Sequence, residues 1–184
     1  MSAQSITNGV QPLPDAAGTE VVPTEVEVTS PVCYAREASD TYAGYASTGE
    51  LLAFLKEVLE VERADARIAA RTASASSFAS LTALMGDVHR DGARWCAMLL
   101  KWITHLGGAP SGRTEISYEE SLAVSDLLER VAFINQGQEY VVRKVREILP
   151  RIRDDRMHAD IREMLISHEF NISRSNNISA LRSE

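Results

Sequence analysis

The chain has 184 residues, 45% of them hydrophobic and 24% charged, so it holds enough apolar side chain for one ordinary core and is not a disordered chain. Nineteen basic residues against 26 acidic ones leave a net charge of −7, which argues against a nucleic-acid binder. No apolar run reaches the roughly 18 residues of a membrane span, and Cys33 and Cys96 are too few for a zinc ribbon and too far apart for a redox pair.

In chain order, residues 1–30 carry Pro12, Pro14 and Pro23, four acids and no basic residue, and read as a disordered tail rather than a targeting signal. Residues 31–46 carry Tyr34, Tyr42 and Tyr45, which suggests a segment capping the domain. Ser47-Thr48-Gly49-Glu50 is a capping box opening a helix to about residue 73, with Leu51, Leu55, Val58, Glu62 and Ala69 on one face. A second helix, about 78–106, aligns Leu81, Leu84, Val88, Asp91, Trp95, Leu99 and Trp102, and Gly107 to Pro110 stop it. Ser117 to Glu120 form another capping box, predicting a third helix to about residue 149 with Leu127, Val131, Ile134, Gln138, Val142 and Val145 on its face. Asp154 or Asp155 then caps a fourth, to about residue 175, with Met157, Ile161, Met164, Leu165, His168 and Ile172 inside. Val21-Val22, Val26 and Val28 alternate with Thr and Glu as a short strand would, but no second strand pattern exists to pair with it. The expected class is all-α: a four-helix bundle over 47–176 and a C-terminal tail over 177–184. The stretch from Gly107 to Ser117, extended, reaches about 36 Å, enough to permit but not to require a crossover between two antiparallel pairs.

Each apolar face is interrupted near its middle by a polar group: Glu62, Asp91, Gln138 and His168. Counted from the expected helix ends, all four fall within about one turn of a common level, at about 1.5 Å per residue. A buried carboxylate is costly unless paired, protonated or metal-bound, and a layer of them is how carboxylate metal sites in bundles are built. The alternatives are plain: Glu62 paired with Arg94 or Arg143, Asp91 with Arg94, Gln138 a buried amide against Glu62 or His168, and His168 a hydrogen-bonded core residue. His89, His105 and His158 lack ligand spacing, and Cys96 reads as an inert thiol.

The helical pairs, mid-helix Glu62 and central His168 resemble the ferritin-like superfamily, particularly its rubrerythrin-type members. Asp91-Gly92-Ala93-Arg94-Trp95 is similar to the Asp-Glu-Ala-Arg-His run of that family's second helix, and the stretch from Asp91 to Leu99 looks like a group of uncharacterised bacterial ferritin-like proteins. The resemblance implies a di-metal site, from which this chain departs. Gly92 and Trp95 stand where the family has Glu and His, and Leu165 takes the Glu position beside His168. The ligand set it leaves is Glu62, His168, Glu139 on helix three and Asp91 as a substitute. The expected function is therefore a ferritin-like bundle with a degenerate di-metal site and a partner- or ligand-binding role, without a cofactor. The alternative is a metal-binding oxidoreductase or iron-handling protein using iron or manganese at the reduced site; an iron-storage cage ranks last. Expected partners are a protein or a second copy, not nucleic acid or membrane, and the expected location is the cytoplasm.

Overall fold

Ser47 closes the first turn of the chain's first described helix as its sequence requires. Its Oγ accepts from the Glu50 backbone N–H, and Glu50 Oε2 accepts from the Ser47 N–H at 2.9 Å. The computed structural model describes residues 43–110 and 126–181, all within the unit Val32–Glu184. They form helices α1 (Thr48–Ala75), α2 (Ala79–His105), α3 (Leu127–Ile148) and α4 (Asp155–Leu181), with a 3₁₀ turn, Leu149–Arg151, between the last two. No strand occurs among the described residues. The expected tail over 1–30, most of the capping segment and the Ser117 capping box lie outside them.

Two boundaries differ from expectation. Helix α3 begins at Leu127, where Asp126 Oδ1 accepts from the Leu128 N–H at 2.7 Å, so the helix bearing Gln138 is capped there and is not continuous from Ser117. Helix α4 continues to Leu181 and takes in much of the expected C-terminal tail. Asp154 caps it by accepting from the Met157 N–H at 2.8 Å.

Side-chain pairs fix the directions. Along α1 and α3, Glu57 meets Lys144 while Asp65 lies against Gly137, so these helices are antiparallel. Along α2 and α4, Asp87 meets Arg174, Arg94 meets Glu163, and Trp102 meets Asp160, again antiparallel. Helix α1 packs on α2 and α3, and α4 packs on the same two; α1 and α4 are diagonal. Helices α1 and α4 therefore run one way, α2 and α3 the other. The stretch between His105 and Leu127 joins opposite ends of the bundle, which makes it a crossover.

The apolar interior falls into two clusters. One, towards the start of α1, gathers Leu55, Leu59, Trp95, Leu99, Val145 and Ile161; the other, towards its end, gathers Ile68, Leu81, Leu84, Met85, Val131 and Ile134. Full burial of one such side chain contributes about 1.5–3 kcal/mol. Between them, at mid-height, lies a layer of buried polar groups: Glu62, Asp65, Gln138 and His168.

Candidate functional site

Helix α1 projects Glu62 and α4 projects His168 into this layer from opposite corners, and both are nearly sealed from solvent, at 3% and 4% exposure. His168 Nδ1 lies 2.9 Å from the Met164 carbonyl one turn earlier. A carbonyl only accepts, so Nδ1 carries a proton. That leaves Nε2 to face Glu62 Oε1, 2.6 Å away, with a proton between them. Burial opposes a charge on the imidazole, but the Glu62 carboxylate outweighs it and holds His168 above its ordinary pKa. The pair is thus a buried, proton-sharing hydrogen bond between an imidazole and a carboxyl group. Glu62 is bound to neither of the arginines anticipated: Arg94 pairs with Glu163 at 2.5 Å, and Arg143 lies over the Tyr140 ring.

Asp65 is the buried acid that sequence reasoning missed. It stands one turn after Glu62 on the same face, so the signal was the Glu-x-x-Asp spacing among alanines. Burial, and then the neighbouring Glu62 charge, push its carboxyl well above the usual carboxylate range, against a smaller pull from His168. Its carboxylate lies against the backbone of Gly137, where a Cβ would come within 2.5 Å of Oδ2. A glycine inside a helix costs about 1 kcal/mol relative to alanine, and here it makes room for a carboxyl group.

The other anticipated residues divide. Asp91 is half-buried at the α2–α4 seam, where its Oδ2 accepts from Ser167 Oγ and Asn171 Nδ2, each at 3.0 Å. It does not pair with Arg94. Gln138 is buried in the layer, but its Oε1 has no hydrogen-bond partner. Glu139, the helix-three candidate ligand, is exposed: one residue along a helix turns the side chain by about 100°, and Gln138 takes the inward position. Gly92 and Trp95 both line the layer, as the helix-two reading placed them. A Cβ on Gly92 would stand 2.9 Å from the Ala66 Cβ, and the Trp95 indole is 2% exposed.

Whether this layer suits a pair of metals can be judged from its donors. Helix α2 offers Gly92 and Trp95, and α3 offers Gln138, so the metal-type donors are Glu62, Asp65 and His168 with Asp91 at the rim. Glu62 and His168 bind each other, and the shared cavity measures about 10 Å³, about what one water needs. No group of three His, Cys, Asp or Glu side chains among the described residues is arranged to hold a metal ion. Cys96 adds no reactive thiol: burial, then Glu62, push it up to about 12, against Arg63.

A second concavity lies at the end of the bundle where α1 and α4 begin. It encloses about 940 Å³ and is lined by Leu51, Trp102, His105, Leu106, Arg153 and Met157, among others. No helix among the described residues is long and apolar enough to cross a membrane.

Comparison with known proteins places this architecture. A family model described as a domain of unknown function (DUF6306) matches residues 49–177, which span all four helices except the first residue of α1 and the last residues of α4. No curated protein matches. Among solved structures, the chain is similar to one titled as a ferritin-like, diiron-carboxylate protein from Bacillus anthracis str. Ames. The TM-score is 0.50 at 17% identity, covering 71% of this chain and 90% of that one. The fold is ferritin-like, with the crossover lying between α2 and α3.

Proposed function

The chain belongs to the DUF6306 family of domains of unknown function, and from that starting point we propose that it is a ferritin-like bundle whose di-metal site is degenerate and which acts by binding a partner or ligand rather than by redox chemistry. The observation that carries this reading is the direct 2.6 Å contact between Glu62 and His168. It uses up on each other the two side chains that would otherwise be the best metal donors of the layer. Gly92 supports it, because a longer side chain there would meet the Ala66 Cβ.

The binding role falls to the end groove. Its volume suits a small molecule, and it combines an apolar floor with His105 as a polar anchor. Metal analysis of the purified full chain, after anaerobic loading with iron and separately with manganese, tests the reading. Strongly substoichiometric metal is expected. Near-stoichiometric iron or manganese, bound in the parent and lost in His168→Ala, would overturn it in favour of a metal-binding oxidoreductase or iron handler. A fragment screen read on the Trp102 indole resonance then tests the groove, with shifts expected there and not at Trp95.

A further inference from the structure

Two buried polar atoms of opposite character stand unpartnered in the polar layer. Trp95 Nε1 carries a hydrogen and only donates; Gln138 Oε1 only accepts. Both side chains line the same cavity as Glu62 and Asp65, and both are more than nine-tenths buried. Native interiors rarely leave such atoms without a partner.

We propose that this cavity is a binding site for one water molecule, which accepts from the Trp95 indole N–H and donates to Gln138 Oε1. Size and chemistry select that occupant. The cavity, about 10 Å³, admits a single water. A cation cannot accept from the indole N–H. An anion cannot donate to the amide oxygen and would face the Glu62 carboxylate and the Asp65 carboxyl group. Water does both jobs and keeps a second hydrogen for one of those acids, giving the three bonds usual for a buried water. Asp91 lines the same cavity and is half-buried at the α2–α4 seam. The inference rests on the metal-free reading above.

The test uses the full chain labelled with ¹⁵N. Trp95→Phe assigns the Trp95 indole resonance by its loss. Rotating-frame and laboratory-frame Overhauser spectra then separate dipolar contact with a bound water from hydrogen exchange. The expected result is a bound-water cross-peak to the Trp95 indole N–H and none to that of Trp102, whose Nε1 donates to Asp160 at 2.8 Å. Gln138→Met, if folded by circular dichroism, should abolish that peak. If it does not fold, the contrast between the two indoles in the parent decides. A Trp95 indole without a water cross-peak, or a peak unchanged in folded Gln138→Met, overturns the inference. Metal analysis of the same sample separates the two failures. No peak in metal-free protein sinks the water alone, whereas no peak with stoichiometric metal sinks the metal-free reading with it.

Discussion

His168 Nε2 lies 2.6 Å from Glu62 Oε1, although the helices that carry them are diagonal in the bundle and do not pack on each other. The pair is a side-chain bond that crosses the middle of the core from α1 to α4, so its strength is set by the interior rather than by solvent. Removing one partner strands the other: Glu62→Leu should destabilise the protein by about 3–5 kcal/mol in urea unfolding at pH 6. Glu62→Leu with His168→Leu together should cost far less than the sum, because the desolvation of both groups disappears with them. Additive losses would mean that the two do not act as a pair.

Stability should fall as pH rises. Asp65 and His168 both have folded pKa values raised above 3.8 and 6.5, the ordinary values for the two groups. The native state therefore holds protons that the unfolded chain has released, and it loses stability in that interval. The Asp65 contribution is full below about pH 4 and declines upwards; that of His168 is full below about pH 6 and is lost as pH passes its raised value. Urea midpoints measured from pH 5 to 9 should decrease, and Asp65→Asn should flatten the lower part of the curve. A midpoint that rises across this range would contradict both assignments.

Gly137→Ala should destabilise despite the better helix propensity of alanine. The new methyl would meet Asp65 Oδ2 at 2.5 Å, and overpacking of this kind costs about 1–3 kcal/mol, more than the gain of about 1 kcal/mol from propensity. In an Asp65→Ala background the same change should turn neutral or stabilising. Equal effects in both backgrounds, by thermal unfolding, would show that Asp65 is not what the glycine accommodates.

Gly92→Ala should also cost about 1–3 kcal/mol, since its methyl would stand 2.9 Å from the Ala66 Cβ in a contact between two helix backbones. Trp95→Ala should cost about 3–5 kcal/mol, as for a large core residue. Restoring a ligand pair with Gly92→Glu and Trp95→His should therefore fail to build a metal site, for want of room at position 92. Tight cobalt binding by a folded double variant, seen in its visible spectrum, would show that the layer can open.

The bundle was legible because period and punctuation agree along α1, α2 and α4, and Glu62, Gln138, His168, Gly92 and Trp95 were all placed on the inner faces where they are found. Two things were not. Asp126 does not stand out as a cap when Ser117 offers a stronger box nine residues earlier, so the start of α3 was misplaced. Asp65 stands on the row of Leu55, Val58, Glu62 and Ala69, three residues after Glu62 and four before Ala69, so the period alone marks it as inward; its charge, ordinarily the mark of a solvent-facing residue, masked that. Glu139 illustrates the converse: one residue past Gln138, about 100° round the helix, its side chain is turned to solvent while the amide of Gln138 takes the inward place.

The polar layer also sets how the molecule breathes. Among the described residues, 16 buried hydrophobic side chains lie in the cluster on one side of it and eight in the cluster on the other, with no member shared. Because polar groups interrupt the apolar continuity between them, the two halves are expected to open as separate cooperative units of unequal strength. The half built on Ile68, Leu84 and Ile134 is the weaker. Its backbone amides should exchange with deuterium through a sub-global opening that ends at the Glu62–His168 bridge, while those around Leu55, Leu99 and Val145 should wait for global unfolding.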